Sequence, residues 1–294
     1  MKISIIIRAY NEEKYLGELF EGVSRQILPA DDEIELVLVD SGSTDRTVSI
    51  AKAYGARIVS IAKEAFTFGR SLNLGCDAAT GDALVLVSAH CIPVHSNWLS
   101  ALVSPLRDGQ APYAYGRQVG WGSSKFSECQ LFKKYYPEVD RLQRKDFFCN
   151  NANAVLLKST WEQFQFDEEL TGLEDMDLGR RLIRSGETIA YVADAPVHHI
   201  HEEVWSRVKV RYEREAIALQ NIMPQIHVGF SDFVRYFVSA VFYDFGAAIQ
   251  EKKFLACFTE IILFRFFQFW GSYKGNQQHR LVSHQMKEHY FYPK

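Results

Sequence analysis

An α/β architecture, with a mostly parallel sheet flanked by helices, is the expectation for this 294-residue chain. Three features carry it. Short apolar runs alternate with amphipathic stretches through the first half, the pattern of a doubly wound sheet with right-handed crossovers. One of those runs, inside DALVLVSAHCIP, has five apolar residues among the six from Ala83 to Ser88, between a turn at Thr80-Gly81-Asp82 and a break at Pro93. That is how a strand buried on both faces reads. The composition, 47% hydrophobic and 23% charged, is that of a folded protein, long enough for one large domain and an appendage.

Taken in order, ISIII is strand-like, and EEKYLGELFEGVSRQI places Tyr15, Leu16, Leu19, Phe20 and Val23 at helical spacing. IELVLVD gives a second strand ending in Asp40. STDRTVSIAKAYG reads as a helix with Ser and Thr caps and a glycine stop at Gly55. ARIVSIA is a third strand, and GRSLNLGCDAAT a helix leading into the run at Ala83. The pattern loosens from Ala111 to Phe148, around Gly116, Gly120 and Gly122. LEDMDLGRRLIRSG is a helix closed by Gly186, TIAYVADAPVHHIH a strand followed by a histidine-bearing loop, and EEVWSRVKVRYEREAIALQ another helix.

After Pro224 the character changes. SDFVRYFVSAVFYDFGAAI spaces Phe233, Phe237, Val241 and Phe245 by fours, and FLACFTEIILFRFFQFW is apolar almost all round, interrupted by Glu260, Arg265 and Gln268. That stretch is shorter than the ~20 apolar residues that span a bilayer. Two readings stand: a helical hairpin packed on the preceding domain or on a second subunit of a homo-oligomer, and an interfacial anchor at the inner face of the membrane, flanked by Lys252, Lys253, Lys274 and Arg280. The expected domains are residues 1–222, in two halves (1–110 and 111–222), and a helical appendage at 223–294.

A net charge of -3 gives no electrostatic case for nucleic acid. Five scattered cysteines without a Cys-x-x-Cys pair suit a reducing compartment. The N-terminal apolar run is too short for a signal-peptide core, so a cytoplasmic protein is expected.

Strand ends converge at one sheet edge, where ligands of open α/β sheets bind. The first supplies Arg8-Ala9-Tyr10-Asn11-Glu12, the second Asp40-Ser41-Gly42-Ser43, and the fourth Ser88-Ala89-His90, while Arg70 and Asn73 open the helix before it. Asp40 suits a base N–H or a ribose hydroxyl, although Asp-Ser-Gly is also an ordinary turn. The lack of a G-x-G-x-x-G or G-K-[ST] segment argues against a Rossmann dehydrogenase or a P-loop NTPase.

RAYNEE, LVDSGSTDRT, NLGCDAATGDALVLVSA and GLEDMDLGRRL together resemble the inverting nucleotide-sugar glycosyltransferases of family two, with the GT-A fold. FCNNANAVLLKSTWEQFQFDEEL, VHHIH and RFFQFWGSYKG are similar to the branch that contains bacterial rhamnosyltransferases and other polysaccharide enzymes. The resemblance spans roughly Ile3 to Gly275. It implies a UDP- or dTDP-sugar donor, with 1–110 as the donor half, and a glycan or lipid-linked acceptor, with 111–222 as the acceptor half. It places Ala9, Tyr10, Asn11, Glu12, Asp40, Arg70, Asn73, Ser88 and Ala89 at the donor and Asn151 and Asn153 at the sugar or acceptor. Asp175 falls at the general base, beside Glu174. A carboxylate in the first turn of a helix is expected to stay ionised, though Glu174, Asp175 and Asp177 would also suit a plain helix start.

The sequence departs from the family where Asp-x-Asp, the usual ligand of Mg²⁺ or Mn²⁺, is replaced by Ser88-Ala89-His90. His90 with His199 or His201 would hold a divalent cation, Mn²⁺ more than Mg²⁺, because imidazole is a poor ligand for the harder ion. Without a metal, protonated histidines with Arg207, Arg211 or Arg214 would meet the diphosphate. Two other classes remain open: a nucleotide-sugar-binding protein that has lost catalysis, disfavoured by the retained LEDMD, and a nucleotidyltransferase, disfavoured because IIIRAYNEE lacks the Gly- and Arg-rich loop.

Overall fold

The first strand is where the chain commits its most apolar residues, and it becomes the middle of the sheet. The structure, a computed structural model, describes residues 1–277 and 290–291, so Arg280 lies outside the described residues. The elements run β1 (Lys2–Ala9), α1 (Glu13–Ser24), β2 (Glu33–Asp40), α2 (Thr47–Ala53), β3 (Arg57–Ser60), α3 (Phe68–Ala78), β4 (Ala83–Ser88) and β5 (Cys91–Pro93). They continue with α4 (Trp98–Arg107), β6 (Tyr113–Val119), α5 (Phe126–Tyr135), β7 (Arg141–Arg144), β8 (Asn153–Leu157) and α6 (Lys158–Phe164). The last are α7 (Glu174–Arg184), β9 (Ile189–His199), α8 (Trp205–Ile222), α9 (Phe230–Gln250) and α10 (Phe254–Asn276).

One sheet has the order β3-β2-β1-β4-β8-β6-β9-β5, with β7 on β9. β1 pairs in parallel with β2 and β4, and β2 with β3, as the alternation of apolar runs implies. The later strands mix the two directions, with β8 antiparallel to β4 and β6, and β6 parallel to β9. Ile3, Ile5 and Ile7 are wholly buried and share one core with Leu16, Leu19 and Phe20 of α1 and Trp98 and Leu102 of α4. Each side chain of that size contributes about 1.5–3 kcal/mol when removed from water.

Three expectations need correction. Pro93 ends a short strand instead of breaking one, because Cys91–Pro93 pairs with Val197–His199 of β9. The loose stretch from Ala111 contains β6, α5 and β7, whose glycines and aromatics hid their periodicity. Ser43 and Thr44 do not cap α2. They bond to Asn11, and Asp45 accepts from the Thr47 N–H instead.

The chain divides into two compact units. The first comprises Met1–Trp121, Tyr135–Glu169 and Glu174–Ile200; the second comprises Gly122–Lys134, Leu170–Leu173 and the chain from His201 onward. The first contains the whole sheet. In the second, α10 packs against α8 and α9. A Cβ at Gly271 would lie 2.3 Å from the Lys209 carbonyl oxygen, and one at Gly275 2.2 Å from that of Glu213, so this approach of α8 and α10 requires glycine. Arg265 of α10 makes a two-point pair with buried Asp244 of α9, at 2.7 and 2.8 Å, and Ser127 donates to the same carboxylate at 2.6 Å. The polar interruptions in the apolar stretch are thus internal partners. The helix is also longer than expected, at 23 residues, which makes it long and apolar enough to cross a membrane by length and composition alone.

Removing one member of a buried ion pair leaves the other charged and unpaired, at a cost of about 3–5 kcal/mol. Arg265→Met is therefore expected to lower the stability of the second unit by about that amount in urea unfolding. The double variant with Asp244→Leu should recover most of the loss.

Candidate functional site

Register builds the site. Ala9 lies opposite Asp40 across β1 and β2, and Arg8 opposite Ser88 across β1 and β4, so three strand ends finish in one row. The loops beyond them are stitched together. The Asn11 N–H donates to Ser43 Oγ at 2.9 Å, its side-chain carbonyl accepts from the Thr44 N–H at 2.8 Å, and the Glu12 N–H donates to Thr47 Oγ1 at 2.8 Å. Asn11 sits at φ 55°, in the left-handed region that Asn tolerates better than most residues. Asp40 accepts from the N–H groups of Gly42 and Ser43, so its carboxylate shapes the turn it was expected to serve. Tyr10 lies beside the Lys63 ammonium, which is 5.5 Å from its ring centroid, and Ala89 is buried.

The residues expected at the donor and acceptor separate into two kinds. Asn73 and Asn153 are saturated internally. Asn73 accepts from the Trp161 Nε1–H and the Phe166 N–H and donates to the Phe166 carbonyl and Glu168, while Asn153 accepts from Trp98 and donates to the carbonyls of Arg117 and Ala195. Arg70 is paired with Glu168 at 2.7 Å. These side chains hold neighbouring segments in place. Asn151 differs: its Oδ1 accepts from the Tyr113 hydroxyl at 2.7 Å, and its buried Nδ2 has no hydrogen-bond partner among the described residues.

Asp175 opens α7 and is 8% exposed. Its Oδ2 accepts from the Asn151 N–H at 3.0 Å and its Oδ1 from the Met176 N–H at 2.8 Å. Burial works against the expectation that a helix start keeps it ionised. Burial, and then the neighbouring Glu174 carboxylate, push its pKa up to about 7, against the pull of those two N–H groups and Arg8. Glu174 accepts from Arg8 Nη1 at 3.1 Å. Arg8 was not among the expected site residues. The signal was there, a charge directly after the apolar run Ile5-Ile6-Ile7 of β1.

His90 and His199 stack with centroids 5.2 Å apart and planes at 16°. His90 Nδ1 faces Glu12 Oε1 at 3.2 Å, and His199 Nδ1 faces Gln118 Oε1 at 2.7 Å. Each ring thus gives Nδ1 to a protein oxygen, the arrangement that fixes tautomer and orientation in metal-ligating histidines. Gln118 was not anticipated, because β6 itself was not. In the second unit, His201 Nδ1 is 2.8 Å from Glu128. Burial pushes the Glu128 carboxyl up, but His201 and Arg211 more than offset this and hold it at about 2. Arg211 is committed to Glu128 and Glu203, each at 2.9 Å, which corrects its expected role as a phosphate ligand. Arg207 is exposed in the first turn of α8.

Comparison with known proteins identifies the family and the fold. Residues 4–163 match the family described as Glycosyl transferase family 2. The O-antigen chain rhamnosyltransferase RfbN of Salmonella typhimurium is 25% identical over 272 residues, covering 85% of this chain and 78% of that protein. Two solved structures share the fold. S. aureus TarS 1–349 in complex with UDP-GlcNAc has a TM-score of 0.55 at 14% identity, over 95% of this chain and 93% of that one. Glucosyl-3-phosphoglycerate synthase from Mycobacterium tuberculosis, in complex with Mn²⁺, UDP-glucose and phosphoglyceric acid, has a TM-score of 0.54 at 22% identity, over 75% and 79%.

The environment of Asp175 is directly measurable. With ¹³C-labelled aspartate, one carboxyl is expected to titrate at about 7 and to vanish in Asp175→Asn. A carboxyl in the ordinary range near 4 would mean that water reaches it.

Proposed function

The chain belongs to glycosyl transferase family 2, and from that premise we propose an inverting transfer of a sugar from a UDP- or dTDP-sugar to a glycan or lipid-linked acceptor, with Asp175 as general base. Inversion in one step needs a carboxylate to take the acceptor proton on the face opposite the departing diphosphate. The observation that carries this proposal is the Asp175 carboxyl, buried in the first turn of α7 and held by the N–H groups of Asn151 and Met176. A carboxyl pushed up to about 7 is part ionised at neutral pH, and its ionised form is basic enough to accept the proton. Asn151, with an unmatched buried N–H beside it, is the proposed contact to a sugar or acceptor hydroxyl. Ala9 to Glu12, Asp40, Ser88 and Ala89 are the proposed frame of the nucleoside, in the donor half of the chain. The relative named for O-antigen chains favours a surface polysaccharide as the product.

A divalent cation fits the donor set. His90 and His199 are oriented through Nδ1, so a cation would be taken on Nε2, and the chain places His201 two residues beyond His199. Such an ion, when bound, supplies positive charge to the leaving diphosphate. Imidazole donors favour Mn²⁺ over Mg²⁺, and the solved relative with Mn²⁺ is consistent with that choice. Glu12 keeps the His90 ring in place and adds negative charge beside it.

The hairpin is the proposed contact with an anionic lipid surface. Phe242, Tyr243, Ile249 and Leu255 are 61–91% exposed on α9 and α10. Exposed Lys252 and Lys253 lie at the turn between these helices, where Glu251 is shared between Lys133 at 2.7 Å and Lys253 at 3.2 Å, so the lysines outnumber the carboxylate beside them. A second copy docked on this tip would bring its lysines against these; anionic headgroups would neutralise them.

Asp175→Asn is expected to cut turnover by about 10²–10⁴-fold while calorimetric binding of UDP or dTDP is unchanged; retained turnover removes Asp175 as base. Nucleotide binding should be stronger with Mn²⁺ than with Mg²⁺ or EDTA, and His90→Ala should erase that difference; equal binding in EDTA would make the pocket metal-independent. Wild-type protein should co-sediment with phosphatidylglycerol vesicles and not with phosphatidylcholine, and Leu255→Asp with Lys252→Glu should abolish this. A soluble dimer without vesicle binding would make the hairpin a packing surface.

A further inference from the structure

We propose that Arg8 is a positioning residue for the base: it clamps Glu174 and balances that charge, so that the acceptor proton is taken by Asp175 alone and not shared between two adjacent carboxylates. This rests on the role given to Asp175 above.

Two carboxylates next to each other at a buried helix start repel, and a proton entering such a pair belongs to both. The clamp separates their roles. Arg8 stands at the end of β1 with its side chain 20% exposed, and Glu174 has only 6% of its side chain exposed. Arg8 Nη1 donates to Glu174 Oε1 at 3.1 Å and to the Phe68 carbonyl oxygen at 3.3 Å, and the guanidinium carbon lies 5.0 Å from the centroid of the Phe68 ring. Strand, α3 and ring thus fix the cation, and the cation fixes Glu174. Asp175 is left with its own two N–H donors, from Asn151 and Met176.

In the transfer, the acceptor oxygen bonds to the anomeric carbon as its O–H proton passes to Asp175. The bond from that carbon to the diphosphate oxygen breaks, and its electron pair leaves with the nucleoside diphosphate. Asp175 then returns the proton to solvent. The other titratable groups around Asp175 are the phenols of Tyr113 and Tyr136, both pushed up by burial, and Cys149, whose thiol donates to the Asp175 carbonyl oxygen at 3.0 Å. None of these supplies positive charge; among the described residues Arg8 is the cation that lowers the Asp175 carboxyl, adding to the larger pull of the Asn151 and Met176 N–H groups.

The sign follows. Without the Arg8 charge, Glu174 acts unopposed on Asp175 and holds the proton there to higher pH. Without the Glu174 charge, the opposite holds. The test is the ¹³C titration of Asp175 in ligand-free protein, with thermal melts to verify folding. Arg8→Met should move the titration up by about one unit or more. Arg8→Lys keeps the charge but not the planar stack on Phe68, so it should move it by less. Glu174→Gln should move it down. An unmoved titration in folded Arg8→Met overturns the proposal; if that variant does not fold, an unmoved titration in Glu174→Gln does so. Retained turnover in Asp175→Asn would instead overturn the base role and leave the electrostatic coupling standing, so the two failures are distinguishable.

Discussion

The parallel pairing of β1 with a neighbour on each side is the constraint from which the rest of the first unit follows. β1 is hydrogen-bonded to β2 along all eight of its residues and to β4 along six. In a ladder with side-chain period two, a slip of one residue would turn every isoleucine of ISIII to the other face. The register is therefore fixed by burial, and with it the coincidence of Arg8, Ala9, Asp40 and Ser88 at one edge. Loops that carry chemistry here inherit their position from a core that has none.

How much of this was legible in the sequence depended on whether a signal was local. The parallel half was legible because each strand is a clean apolar run between turn residues, and α7 because its acidic start and Gly186, at φ 93°, mark both ends. β6 was hidden by Gly116, and β5 by a proline that normally argues against a strand. At the site, residue types at strand ends pointed to the right edge, but their partners come from afar. Arg8 and Glu174 are 166 residues apart, and His199 and Gln118 are 81 apart. Saturation of Asn73 and Asn153 is likewise invisible without the fold, since an asparagine that anchors a loop looks the same in sequence as one that awaits a ligand.

The same edge holds two electrostatic solutions side by side. Around Asp175, burial and a like charge raise a carboxyl toward neutrality, and two backbone N–H groups, with an arginine behind them, limit the rise. Around His90, a carboxylate is moved one step outward: Glu12 contacts the imidazole and would not itself occupy the first position around a cation. A site that would otherwise concentrate several acids in a small volume thereby keeps fewer of them in direct opposition.

Strand order also has a consequence for synthesis on the ribosome. β1, β2, β3 and β4 are adjacent in space and complete by Ser88, so the row containing Asp40, Ala9 and Ser88 can form early. β9 is the last strand in sequence yet lies inside the sheet, between β6 and β5, and also carries β7. Until residue 199 has emerged, β6 has an open edge, Cys91 to Pro93 has no partner strand, and His90 has no ring to stack on. The nascent chain therefore carries an unsealed sheet margin, a surface prone to wrong pairing, for the time needed to make about a hundred further residues, and the histidine pair is assembled by the same strand that closes it.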